Sequence, residues 1–165
     1  MKKILLVVVL FFGVLSACTS QESTTYYLIR HAEKNRTDKT NRNPDLNKKG
    51  VERAKKWASY FKNIKIDAVY ATDYKRTQQT ASPTAKSKEI GIQSYNPTKM
   101  YDAVFQQNTK GKTVLVVGHS NTTPDFVNKI LGEKKYDTMN DTDNASLYIV
   151  TISGDSTAIK IEKVN

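Results

Sequence analysis

The stretch that most limits how this chain can fold is "TVLVVGHSN", Thr113 to Asn121. Val114 to Val117 are all apolar, with no alternation, and the run stops at Gly118-His119. A strand that is apolar on both sides belongs inside a sheet covered on both faces, the usual setting of parallel strands. Tyr26 to Ile29 is a second such run, and it stops at Arg30-His31. Ile66 to Ala71 and the shorter Ile92 to Tyr95 are further strand candidates.

Helical patterns separate these runs. Asn47 can cap a helix in which Val51, Ala54, Trp57, Ala58 and Phe61 share one face. Trp57 is therefore a core residue by default. Tyr74 to about Lys88 reads as a second helix that Pro83 should kink or divide. A short helix is expected over Tyr101 to Gln107. Another runs from about Thr123 to Leu131, with Pro124 in its first turn and Gly132 ending it. Asp137 to Asn144 is a polar loop. Leu147 to Ile152 and Ala158 to Lys163 form a hairpin about Gly154-Asp155. Strands alternating with helices predict an α/β domain, a three-layer α/β/α sandwich with a mostly parallel sheet.

The N-terminus is a separate unit. Lys2 and Lys3 precede an apolar run, Ile4 to Leu15, which is shorter than the roughly 20 residues a spanning helix needs. A charged head, a short apolar run and small residues mark a secretory signal. Leu15-Ser16-Ala17-Cys18 resembles the lipobox of bacterial lipoproteins. The resemblance implies cleavage before Cys18 and lipid on its sulfur, which accounts for a lone cysteine that has no internal disulfide partner. The expected division is a signal over 1–17, a lipidated flexible tether over 18–25 and a folded domain over 26–165. Such a chain would be exported and held on a bacterial envelope membrane, at its periplasmic or outer face.

The formal charge is +10, and removal of Lys2 and Lys3 with the signal lowers it by two. The lysines are scattered along helical segments instead of forming a dense run. Nucleic acid is therefore not expected as a partner. A field that draws in phosphate-bearing substrates is the functional reading.

Ligands bind open α/β sheets beyond the carboxyl ends of the strands. Arg30-His31 follows the first strand, Thr72 to Arg76 the second, and His119 the fourth. Both histidines of the chain and two arginines thus converge on one sheet edge. An arginine fork matches phosphate oxygens in a bidentate way. A histidine beside it can attack phosphorus. No metal is expected. HExxH is missing, and "DTMNDTDNAS" lacks the glycine and terminal glutamate of an EF-hand loop. No cofactor is implied.

"LIRHAEK", "LNKKGVERA", "YATDYKRTQQTA" and "VLVVGHSN", in this order, resemble the histidine phosphatase superfamily with its phosphoglycerate-mutase-like fold. The resemblance implies that His31 is the nucleophile that becomes phosphohistidine. It implies that Arg30 and Arg76 hold the phosphoryl group and that His119 stabilises it in transfer. It makes Gly50 structural. Ser120, Asn121 and, by a loose match, Thr37 would contact substrate. The family's acid usually lies between the second arginine and the second histidine, so Asp102 is the candidate and Glu33 the reserve. Ala32 stands where the family mostly has glycine, as in bacterial phosphohistidine phosphatases. Asn144-Ala145-Ser146 either line the pocket rim or form a turn. The implied activity is hydrolysis of phosphomonoesters on small molecules or phosphoproteins. A mutase and a catalytically silent phospholigand-binding module are the rival readings.

Overall fold

The computed structural model describes residues 22–165. The expected signal segment and Cys18 lie outside them. Six strands and four helices alternate as β1 (Ser23–Arg30), α1 (Lys48–Tyr60), β2 (Ala68–Ala71), α2 (Lys75–Ser87), β3 (Ile92–Ser94), α3 (Ala103–Thr109), β4 (Thr113–Gly118), α4 (Thr122–Leu131), β5 (Ser146–Ser153) and β6 (Ser156–Lys163). They form one sheet in the order β3-β2-β4-β1-β5-β6. The pairs β3–β2, β2–β4 and β4–β1 are parallel, and β5 and β6 add on antiparallel.

The unbroken apolar runs are explained by two separate cores. Tyr26, Leu28, Val114 and Val116 point to one face, where Phe105 of α3 and Phe126 of α4 cover them. Ile29, Leu115 and Val117 point to the other, beneath Trp57 of α1 and Ala81 and Ala85 of α2. Side chains alternate along a strand, so burial on both faces demands apolar residues at every position. Each such side chain contributes about 1.5–3 kcal/mol when fully buried. Register sets the site. Tyr26 pairs with Val114, Leu28 with Val116 and Arg30 with Gly118, while Ala71 pairs with Val117. The carboxyl ends of β1, β2 and β4 are therefore level.

Some expectations need correction. Ser23, Thr24 and Thr25 belong to β1 and not to the tether. They pair with Ser153, Ile152 and Thr151, because backbone ladders do not require apolar side chains. The buried stripe of α1 is Gly50, Ala54 and Trp57, continued by Phe61, whereas Val51 is 44% exposed. Pro83 neither ends nor divides α2. The buried residues Thr80, Ala81, Thr84 and Ala85 flank it, and their packing outweighs the backbone hydrogen bond that proline cannot make. The Asn47 cap is as expected, its side chain accepting from Gly50 N at 2.9 Å. Gly132 ends α4 with φ 70°, a left-handed conformation that costs glycine little.

Candidate active site

His31 follows directly on β1, where its backbone N–H donates to Gly118 O at 2.9 Å and extends the ladder by one bond. The next residues are pinned from two sides. Ala32 N donates to Thr80 Oγ1 (2.9 Å), and Thr80 in turn donates to Arg76 O (2.6 Å), tying the loop to α2. Asn144 Nδ2 donates to His31 O at 2.8 Å, tying it to the segment before β5. Asn144 is thus a buried support of the His31 backbone, within the trio that the sequence left between rim and turn. Gly50 lies against the same loop. A Cβ there would come within 2.1 Å of the Glu33 carbonyl oxygen, so only glycine allows this approach.

His31 is 3% exposed. Its Nδ1 lies 2.7 Å from Ala32 O, an oxygen that can only accept, so Nδ1 carries the proton and Nε2 keeps its lone pair. Burial pushes the imidazole down to about 3, with the Ala32 carbonyl opposing and the charges of His119, Arg30 and Arg76 reinforcing. The His119 ring meets it edge to face at 5.4 Å. His119 Nε2 lies 2.9 Å from Thr72 Oγ1, which donates onward to Thr77 Oγ1 at 3.1 Å. Thr72 therefore accepts from Nε2–H, and Nδ1 faces Arg76 Nη2 at 3.5 Å. Burial, followed by the charges of Arg76, Arg30 and Lys34, pushes His119 down to about 4. Both rings are neutral at ordinary pH.

Arg30 is 2% exposed. Its Nη1 donates to Asn140 O (2.9 Å) and its Nη2 to Asp141 Oδ1 (2.6 Å). The Arg76 guanidinium stacks over Tyr74, 4.4 Å from the ring centroid, and Tyr74 also meets His119 edge to face at 5.1 Å. The Nε atoms of Arg30 and Arg76 are buried without a partner among the described residues. Buried N–H groups of this kind are costly unless they have an acceptor. An anion between the two arginines would supply one. Arg30, His31, Arg76 and His119 line a cavity of about 360 Å³, with Ser120, Asn121, Lys34 and Asp141 on its wall. A neighbouring cavity of about 490 Å³ shares Pro97, Asn121 and Thr122 with it.

The expected acids are not brought in. Asp102 is exposed and caps α3, its Oδ1 accepting from Phe105 N at 2.9 Å, and it lines neither of these cavities. Glu33 faces Arg53, whose Nε donates to both carboxylate oxygens at 2.9 Å. Burial would raise its pKa, but the hydrogen bonds and charge of Arg53, with Lys49, outweigh burial and keep it ionised. Thr37 is also misplaced. It is exposed, with its hydroxyl turned to Asn35 Oδ1 (2.8 Å), and Lys34 takes the cavity wall instead. The polar "DTMNDTDNAS" segment proves to be part of the site, because it supplies Asn140, Asp141 and Asn144. Among the described residues, no three His, Cys, Asp or Glu side chains gather as a metal-binding group, and no helix is long and apolar enough to cross a membrane.

Residues 26–96 match the profile of the histidine phosphatase superfamily (branch 1). No curated protein sequence matches the chain significantly. Among solved structures, it is similar to the protein histidine phosphatase SixA complexed with tungstate, at 14% identity over 84% of this chain and 96% of that one, with a TM-score of 0.63. It is similar to a phosphoglycerate mutase from Bacillus anthracis at 16% identity, covering 85% and 92%, with a TM-score of 0.63. It also resembles a mycobacterial glucosyl-3-phosphoglycerate phosphatase at 10% identity, covering 87% and 99%, with a TM-score of 0.61. At these identities the likeness establishes a shared phosphoglycerate mutase-like fold.

Proposed function

We propose that this chain is a metal-independent phosphatase that hydrolyses phosphomonoesters through a phosphohistidine on His31. The observation that carries the reading is the lone pair of His31 Nε2, left free by the Nδ1–Ala32 contact in a ring that burial keeps neutral, beside two arginines with unpartnered Nε groups. A neutral imidazole is the nucleophilic form. Arg30 and Arg76 bind the phosphoryl oxygens and offset charge as the P–O bond breaks. A bound dianion favours protonation of His119, whose Nδ1–H then becomes a further donor. Water hydrolyses the phosphohistidine in a second step. SixA, one of the similar structures, binds tungstate, a tetrahedral oxyanion like phosphate.

The same cavity suits a phosphate carried by a small molecule or by a protein. Phosphate on a side-chain nitrogen is a second substrate class, favoured by the position of Asp102 off the phosphoryl cavity and by the ionised state of Asp141 on it. A mutase has the same nucleophile but passes the phosphoryl group to an acceptor. Phosphate release from a panel of esters and phosphohistidine peptides, with and without chelator, tests the reading. Release that survives EDTA supports it. Transfer to an added acceptor without phosphate release would support the mutase, and restoration by one divalent ion a metallohydrolase. We further propose export and lipid anchoring through Cys18 to an envelope membrane, on the strength of the Leu-Ser-Ala-Cys segment.

A further inference from the structure

An alkyl phosphate cannot leave as an alkoxide unless a proton arrives in the transition state. The carboxylates expected to act as acid and the one on the phosphoryl cavity are not placed to provide it, and Asp125 and Asp137 line the neighbouring cavity but not the phosphoryl one. Asp102 is turned to the α3 backbone and Glu33 is ionised against Arg53. Asp141, the one carboxylate lining the phosphoryl cavity, bridges Arg30 (2.6 Å) and Arg36 (2.7 Å). The Arg30 hydrogen bond, together with the charges of both arginines, holds its carboxyl below the usual range.

Lys34 remains. It lines the cavity with both histidines and both arginines, and it also lines the adjoining cavity beside Glu33 and Arg36. Its backbone is fixed, because Lys34 pairs with Leu46 and its carbonyl accepts from Asn47 Nδ2 (3.3 Å). Its ammonium has no hydrogen-bond or ion-pair partner among the described residues, while Asp141 is already shared by two arginines. On the cavity wall stand three cations, Arg30, Lys34 and Arg76, against the single carboxylate of Asp141. That surplus matches a phosphoryl dianion. It also makes the lysine the cation that loses a proton most readily, since arginine does not deprotonate in proteins.

We propose that Lys34 is the general acid for ester substrates, binding the bridging side of the phosphate and protonating the leaving oxygen. The proposal rests on His31 being the nucleophile. In the first step His31 Nε2 forms the N–P bond as the P–O bond breaks. The bridging oxygen keeps that electron pair and takes a proton from Lys34 Nζ, which becomes a neutral amine. In the second step water attacks phosphorus and the amine takes the water's proton. The N–P electrons return to Nε2 and orthophosphate leaves. Burial lowers the Lys34 pKa, as do the charges of Arg76, Arg36 and Arg30, with Asp141 opposing. The direction suits proton release near the leaving group.

The test compares glycerol phosphate, a poor leaving group, with nitrophenyl phosphate, a good one. Lys34→Gln should lower kcat for glycerol phosphate by about 10²–10⁴-fold and that for nitrophenyl phosphate by less than about tenfold. Lys34→Arg keeps the charge but has no proton to give, so its ratio should stay depressed. Both variants should lose the alkaline limb of the wild-type kcat profile. Recovery of glycerol phosphate turnover by Lys34→Arg would show that charge alone matters and would overturn the proposal. Equal losses on both substrates would overturn it as well. So would the leaving-group pattern appearing in Tyr74→Phe, since Tyr74 brings a phenolic proton to the same cavity wall. Matched thermal unfolding of all variants excludes misfolding. Unchanged nitrophenyl phosphate hydrolysis in His31→Ala would instead strike at the phosphohistidine reading itself, so the two failures are distinguishable.

Discussion

Asn144→Ala removes one hydrogen bond at a place where the structure makes its effect calculable. Nδ2 of this buried residue donates to the His31 carbonyl at 2.8 Å. Truncation leaves a buried acceptor unsatisfied, which costs about 1–3 kcal/mol. For a chain of this size, 1 kcal/mol moves Tm by roughly 2–4 °C, so a fall of about 2–12 °C is expected. The kinetic effect should be larger than the stability effect suggests. The same bond positions the backbone of His31, the proposed nucleophile, and a misplacement of about 1 Å at a reacting group costs on the order of 10²-fold in rate. Steady-state kinetics on nitrophenyl phosphate should show the loss mainly in kcat, with KM little changed, because the proposed phosphate ligands, Arg30 and Arg76, are left in place. Thermal unfolding of the same preparation supplies the stability term. Asn144→Ala with wild-type Tm and kcat would refute the idea that this segment holds the nucleophile.

Gly50→Ala should damage the same loop from the α1 side, since its Cβ would meet the Glu33 carbonyl oxygen at 2.1 Å. A drop in both Tm and activity is expected, and an unperturbed enzyme would mean that the close approach is dispensable. Both imidazoles have folded pKa values, about 3 for His31 and about 4 for His119, below the ordinary 6.5 of the unfolded chain. The unfolded state therefore binds their protons first. Stability should be at its full value above pH 6.5 and fall towards pH 4 by up to about 1.4 kcal/mol per unit for each ring. An NMR titration in which either ring changes charge near pH 6.5 would contradict this. Cys18→Ser should abolish incorporation of labelled fatty acid in bacteria, and a freely released wild-type protein without label would end the lipoprotein proposal.

The strands were readable because burial on two faces leaves a one-dimensional mark, an apolar run, and each run ended at the residues that matter. Arg30, His31, Arg76 and His119 were legible for that reason, and the register of β1 against β4 brings them together. Residues whose role depends on competition between partners were not legible. Asp102 precedes a short helix, and capping satisfied a backbone N–H that would otherwise be unpaired. Glu33 follows His31 closely, yet Arg53 from α1 captures it. Lys34 sits in the same "RHAEK" stretch, but only the packing of loop, α2 and the segment before β5 shows that its ammonium is uncommitted among the described residues. Asp141 lay in a stretch that looked like a polar loop, and the partner that gives it meaning, Arg30, is distant in sequence. Pro83 and Val51 misled because local rules were weighed without the tertiary contacts that overrode them.

The most direct test of the central claim is to trap the intermediate. Wild-type protein is mixed with a labelled phosphomonoester, quenched in base, digested and mapped. Acid-labile phosphate on His31 alone is expected, absent from His31→Ala and accumulating no faster than nitrophenolate is released. A wild-type enzyme that turns over without label on His31, together with a His31→Ala protein of near wild-type activity, would contradict the account.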